Sequence, residues 1–242
     1  MNIKLFIKDI IITCISLFKR DRHSKIIFYH DVHSSTEYTD MGTPMSVFQQ
    51  HIATIKELNF DIVPQITENK RQVMICFDDG FRGIWDNRQY FIDNNIMPTV
   101  FIAVDLIGTK GYLTIDEIKA LAKVGFRFQA HGWRHSDLTL FGDEELKREL
   151  SDAKQKLEEL TGLHIVEICF PQGYYSDKVV ESAERYGYEA MYTSDPKPYA
   201  KRVKENLLPR YLVQHASPRV FKAILNGGMD ILYTHYYKLH KR

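Results

Sequence analysis

The chain has 242 residues, 44% hydrophobic and 26% charged, the composition of a folded globular protein long enough to bury a large core. With 32 Lys and Arg against 31 Asp and Glu the formal charge is +1, which argues against nucleic acid as the main partner and leaves a neutral sugar open. Cys14, Cys76 and Cys169 show no CxxC spacing and their odd number suits no disulfide framework, so Cys76 and Cys169, both inside apolar runs, are expected as buried core residues in a reducing compartment.

Residues 1–24 mix apolar side chains with Lys4, Lys8, Lys19, Arg20 and Arg22. The apolar run Ile10 to Phe18 is too short to span a bilayer, and no small-x-small cleavage site follows it. A packed terminal helix, an interfacial helix giving peripheral membrane association, and an uncleaved signal all fit this segment. Cytoplasmic or membrane-peripheral placement is favoured, with an exported form left open. From residue 25 to 242 one domain is expected. Short runs rich in β-formers predict strands at Lys25–Asp31, Phe60–Pro64, Val73–Asp78, Thr99–Val104, Phe126–His131, Val166–Phe170, Ala190–Thr193 and Leu208–Val213. Helical spacing fills the intervals at Pro44–Leu58, Arg82–Asn95, Thr114–Lys123, Asp143–Leu160 and Ser176–Tyr186. Thr114 with Glu117 reads as a capping box, and Gly162 and Gly187 as helix stops. Strands alternating with helices imply an α/β fold of parallel βαβ units, and seven or eight such units fit a (β/α) barrel better than an open sheet.

Active groups of such a barrel gather at the C-terminal ends of its strands. His30 and Asp31, Asp78 and Asp79, His131, and Pro171 to Gly173 all fall at predicted strand ends. In HGWRH, His131 and His135 share a face if the intervening residues turn helically. Two imidazoles are half of a metal site, and Asp79 from another strand end supplies a third N/O ligand, leaving a position open for water. Asp78 is then free to act as a base, and Gly80 lets the backbone turn tightly beside the ion. Read alone, Asp-Asp-Gly is an ordinary turn and HxxxH a chance pair.

CFDDGF, then HGWRH, then CFPQGYYS resemble, in that order, the three motifs of the polysaccharide deacetylases of the NodB-homology type, carbohydrate esterase family 4. The likeness runs over roughly residues 25 to 225, and it implies a distorted (β/α) barrel of about seven parallel strands. FYHDV, Phe28 to Val32, resembles the N-terminal Tyr-His motif of the circularly permuted branch that includes the poly-N-acetylglucosamine deacetylases. The resemblance implies that Asp79, His131 and His135 bind a divalent transition ion, zinc first among them. It implies that Asp78 is the base, that His30 is the acid protonating the departing amine, and that Pro171, Gln172 and Gly173 surround the oxyanion. Trp133, between the two histidines, is a candidate to line the site, a core or rim role being the alternative. The implied activity is removal of acetyl groups from N-acetylated sugars in a polysaccharide or glycan precursor.

The sequence departs from the family pattern at Gln172, where most relatives carry an aromatic, and at Glu167 and Ile168, where an arginine often positions the base. Arg210, in LLPRY, is the candidate for that positioning role, a surface or merely ion-paired arginine being the alternative. His215 and His235 are rivals to His30 as the acid. Two other functions stay open: a binding protein on an inactive deacetylase barrel, and a metal-dependent amidohydrolase acting on a small non-sugar amide.

Overall fold

The computed structural model describes residues 3–202 and 204–242. Its strands are β1 (Lys25–Tyr29), β2 (Asp31–His33), β3 (Gly42–Pro44), β4 (Asp61–Val63), β5 (Gln72–Phe77), β6 (Thr99–Ile102), β7 (Arg127–Ala130), β8 (Glu167–Cys169), β9 (Ala190–Tyr192), β10 (Leu207–Leu208) and β11 (Tyr211–Leu212). Every pairing among them is parallel; the main sheet runs β10-β9-β8-β7-β6-β5-β1-β11, with β4 joined to β5 and β2–β3 forming a separate pair. The expected strand Leu208–Val213 is two strands. β10 pairs with β9 and β11 with β1, so one segment reaches from one edge of the sheet to the other and bends at Pro209 and Arg210. Proline cannot donate to a ladder, and a break there is where a strand can change partners.

The central strands, β1 and β5 to β8, are buried on both faces, as parallel strands flanked by helices must be. Ile26, Phe28, Met74, Cys76, Phe101, Cys169, Tyr192 and Leu208 form one apolar cluster inside the barrel. Alternate residues of the same strands, among them Ile27, Tyr29, Ile75, Phe77, Val100 and Ile102, join the larger cluster beneath the helices. This two-residue period fixes which strand-end side chains look into the barrel mouth.

Helix Ile115–Lys123 carries the expected capping box: Glu117 N–H donates to Thr114 Oγ1 (3.3 Å) and Thr114 N–H to Glu117 Oε2 (2.9 Å). The expected helix Arg82–Asn95 is broken into Gly83–Asp86 and Arg88–Asp93 around Asn87, whose side chain donates to the Gly83 carbonyl (2.8 Å). The expected helix Asp143–Leu160 holds a π-helical turn, Arg148–Asp152, between Asp143–Lys147 and Ala153–Thr161. Ile3–Phe18 is a helix against Pro218–Leu225, with Ile12 buried and Leu17 and Phe18 exposed. No described helix is long and apolar enough to cross a membrane.

Asp31, directly after His30, is wholly buried and neither carboxylate oxygen completes a hydrogen bond. Gly83 is what makes room for it, since a Cβ there would lie 2.3 Å from Asp31 Oδ1 and 2.0 Å from the Val32 carbonyl. Burial pushes the Asp31 carboxyl up to about 8 from 3.8, against the nearby N–H groups of Val32 and Gly83. The native state holds this proton and the unfolded chain does not. The stabilisation is therefore complete below about 4 and is lost progressively as pH rises to about 8, at up to ~1.4 kcal/mol per unit. Asp31→Asn keeps the shape of the protonated form. Urea midpoints of variant and parent should agree near pH 4 and separate with rising pH, the variant becoming the more stable. Parallel midpoints from pH 4 to 8.5 would show that Asp31 is ionised in the fold.

Candidate functional site

Met74, Cys76 and Asp78 share the inward face of β5 and its extension, so the Asp78 carboxylate enters the barrel mouth. There it meets Arg210, which is fully buried. The guanidinium Nη1 donates to Asp78 Oδ1 (2.7 Å) and Nη2 to Oδ2 (2.8 Å), while Nε donates to the Thr193 carbonyl (3.1 Å). Nη2 also reaches Cys169 Sγ at 2.8 Å. Phe28 lies against the guanidinium, its ring centroid 4.0 Å away. Burial raises the Asp78 carboxyl, but Arg210 outweighs this and holds it below the usual carboxylate range. The bend between β10 and β11 is thus what delivers a positively charged fork to a base candidate on the neighbouring side of the barrel.

Asp79 follows with φ +69° and Gly80 with φ +78°. A Cβ on Gly80 would sit 2.7 Å from Ile102 Cγ2, so the turn requires glycine there. These left-handed residues turn Asp79 away from Asp78 and towards β7. Its Oδ1 lies 3.3 Å from His131 Nε2 and 3.1 Å from His135 Nε2, yet completes no hydrogen bond although it is buried. His131 Nδ1 donates to the Cys169 carbonyl (2.8 Å), which fixes the proton on Nδ1 and points the Nε2 lone pair at Asp79. The ligand atoms of Asp79, His131 and His135 all lie within 4.8 Å of one another. An orphaned buried carboxylate oxygen facing two imidazole nitrogens is a poor hydrogen-bonding arrangement and a good N2O donor set. The residues fit a divalent transition ion.

The two histidines do not come together through a helical turn. Gly132 (φ +78°) and His135 (φ +56°) are both left-handed, and the loop wraps around Glu149. That carboxylate, wholly buried on the π-helical turn, accepts from the Trp133 N–H (2.8 Å), the Arg134 N–H (3.1 Å) and Arg134 Nε (2.6 Å). A π-turn shifts the phase of a helix and recurs near functional sites. The same loop sets the Trp133 ring against the Arg148 guanidinium at 5.2 Å, outside the residues that line the cleft.

A cleft of about 290 Å³ opens over these groups, lined by Asp78, Asp79, His131, His135, His30, Gln172 and Gly173 among others. His30 Nδ1 is held by Gln214 Oε1, leaving Nε2 free of that contact. Gln214 Nε2 in turn lies 3.2 Å from His215 Nε2, so His215, which is exposed, sits behind His30. His235 is exposed on the C-terminal helix Tyr233–His240 and is absent from the cleft lining. Pro171 is buried under the loop, and Gln172 (φ +59°) and Gly173 (φ +77°) are consecutive left-handed residues at the rim. The structure thus gathers Asp78, Asp79, His131, His135, His30, Arg210, Gln172 and Gly173 at one mouth.

Sequence reasoning passed over Glu149, Gln214, and a group formed by Tyr175, Asp195 and His240. Glu149 reads as one more charge on a charged helix, and only the helical phase slip would have pointed inward. Gln214 was hidden beside the more conspicuous His215. His240 lies beyond the last predicted element and carries no motif.

Residues 65–191 match the polysaccharide deacetylase family, just over half of the chain. The chain is 23% identical over 182 residues to Bacillus subtilis YxkH, covering 71% of this chain and 64% of that protein. It is 26% identical over 129 residues to a Geobacillus stearothermophilus 30.6 kDa protein, covering 52% of this chain and 47% of the relative. The chain therefore spans about half to two thirds of the length of these curated relatives. Among solved structures, the Streptococcus pyogenes deacetylase PplD superposes with TM-score 0.72 at 20% identity, over 84% of this chain and 98% of that one. IcaB from Ammonifex degensii gives TM-score 0.71 at 16% identity, over 85% and 98%. Both show the same distorted parallel barrel. With that barrel and the matched motif region, the chain belongs to the polysaccharide deacetylase family.

Proposed function

We propose that the protein is a metal-dependent hydrolase that removes acetyl groups from N-acetylated, N-acetylglucosamine-type sugars in a polysaccharide or glycan precursor. The observation that carries this reading is the buried, unpartnered Asp79 Oδ1 facing His131 Nε2 and His135 Nε2, one residue from a carboxylate held by a buried arginine. A divalent ion held by Asp79, His131 and His135, zinc by preference, would supply Lewis-acid polarisation and bring the pKa of water towards roughly 7.

The chain's own groups divide the remaining work. Asp78 accepts the proton of the attacking water. Arg210 keeps Asp78 ionised and fixes its orientation through both oxygens. In the loop Pro171–Gln172–Gly173 the proline has no N–H and the Gly173 N–H donates to the Phe170 carbonyl (3.1 Å), so the Gln172 N–H is the donor that stabilises charge developing on the amide oxygen. His30, oriented by Gln214, gives the departing amine its proton, and an imidazole suits that exchange at neutral pH. The substrate is the N-acetylated glycan. A named deacetylase among the structural neighbours supports this class, and a formal charge of only +1 sets no bias towards a polyanionic substrate.

The test is acetate release from N-acetylglucosamine oligomers, with the metal-stripped protein measured before and after addition of zinc. The expected result is activity only with the ion. Asp78→Asn should then lower kcat by about 10²–10⁴, the usual worth of a positioned base. Acetate release that ignores both the ion and Asp78→Asn would overturn the mechanism. Release from small non-sugar amides alone would replace the substrate class.

A further inference from the structure

The cleft contains an imidazole that the hydrolytic mechanism does not use. His240 is 7% exposed, near the end of the helix Tyr233–His240, and its ring forms part of the cleft wall beside Gly173 and Ser194. Its Nδ1 donates to Asp195 Oδ1 at 2.8 Å. The other oxygen, Oδ2, accepts from the Tyr175 hydroxyl at 2.7 Å. Asp195 is itself 3% exposed, so both carboxylate oxygens are committed inside the protein.

The backbone holds the same group in place. The Tyr175 N–H donates to the His240 carbonyl (3.0 Å) and the Arg242 N–H to the Tyr175 carbonyl (2.8 Å). Tyr175 follows the Pro171–Gly173 loop within a few residues, so the C-terminal segment is stitched to the loop that borders the reacting centre. Tyr174 and Tyr236 pack against the ring, with centroids at 6.0 and 5.6 Å.

This arrangement has a chemical consequence. A carboxylate only accepts, so the proton of a neutral imidazole must sit on Nδ1. The Nε2 lone pair is then presented at the cleft side, 3.6 Å from where a Cβ on Gly173 would stand, and no described residue hydrogen-bonds it. A group that is more than nine-tenths buried, anchored through a carboxylate and a tyrosine, and open only at one atom is built to meet a ligand donor. His30 differs from it: its anchor is a neutral amide, Gln214, at the end of β1.

We infer that His240, held by Asp195 and Tyr175, is a substrate-recognition residue whose Nε2 accepts a hydroxyl of the sugar bound beside the Pro171–Gly173 loop. The inference rests on the proposed N-acetyl-sugar specificity. It adds a saccharide contact at the β8 and β9 side of the mouth, away from the residues that hold the ion and move protons.

The experiment is calorimetric titration of the zinc-loaded protein with the N-acetylglucosamine tetramer, with acetate release measured alongside. His240→Ala should weaken tetramer binding at least tenfold, with zinc affinity unchanged and kcat within about threefold of the parent. His240→Gln, whose amide reaches the position of Nε2, should recover part of the loss. Tyr175→Phe, which leaves the ring in place and loosens its anchor, should fall between the parent and His240→Ala. Equal tetramer affinity in parent and His240→Ala overturns the inference, as does a loss that His240→Gln does not share out between the two. A parent that binds no tetramer overturns it too. Tetramer binding that depends on His240 without any acetate release would leave the recognition role standing and remove the deacetylase reading instead.

Discussion

Zinc added to the metal-stripped protein is expected to titrate a single tight site, and Asp79→Ala or His135→Ala to abolish it. The parent holds three donor atoms within 4.8 Å of one another, drawn from the segments that follow β5 and β7, and one of them is a buried oxygen with no hydrogen bond. Removing either side chain leaves two ligands, which should cost more than about 100-fold in affinity, beyond the 10–100-fold typical of losing a ligand's supporting hydrogen bond. Glu149→Ala offers the contrast. It leaves all three ligands and loosens the loop that aims His135, so affinity should fall by roughly 10–100-fold and not vanish. Because the imidazoles must be unprotonated to ligate, binding should weaken on acidification and release protons to the buffer. A well-folded parent without a site, shown by calorimetry in two buffers of different ionisation enthalpy, would defeat the metal reading and with it the hydrolytic mechanism.

The order of ligands was legible because each motif follows a strand whose apolar run is short and sharply bounded, as in VMICF before Asp78. Parallel strands buried on both faces give continuous apolar runs, and their ends announce themselves. What the sequence hid was the local backbone. Asp79, His135 and Gln172 all take positive φ, a state that residue type alone rarely predicts, and each sets the direction of a site side chain. The helical turn expected between His131 and His135 failed for this reason. The pairing geometry came instead from Glu149, which belongs to no motif and is turned inward by a π-turn. The split strand around Pro209 was similarly invisible: LLPRYLV reads as one apolar run, and only closure of the sheet shows that its halves serve different neighbours. His240 escaped because a lone histidine near a chain end has no periodic signature at all.

Arg210→Met is expected to be the most destabilising single change at the site. The pair it breaks is fully enclosed: Arg210 is 0% exposed and Asp78 3%, with two hydrogen bonds between them. Truncating one partner of such a pair leaves a buried charge uncompensated and costs about 3–5 kcal/mol. In a domain of this size that corresponds to a fall in Tm of roughly 10 °C. Arg210→Lys should recover only part, because an ammonium cannot hold both oxygens and the Thr193 carbonyl at once. Two further outcomes separate this account from a loss of packing against Phe28. First, the double variant Asp78→Asn with Arg210→Met should be more stable than Arg210→Met alone, since it removes the stranded charge. Second, Asp78 has a depressed carboxyl in the parent, so the stability its ion pair contributes is present above the unfolded value of 3.8 and is lost as pH falls below it. In Arg210→Met the same carboxyl, buried without its partner, takes up a proton instead. The stability gap between parent and variant should therefore narrow from pH 7 to pH 4, where the variant's carboxyl is neutral and the parent's ion pair is still intact. Urea unfolding at pH 7 and pH 4 measures this directly. A gap of constant size, unrelieved by Asp78→Asn, would assign the effect of Arg210 to packing and leave Asp78 without its positioning partner.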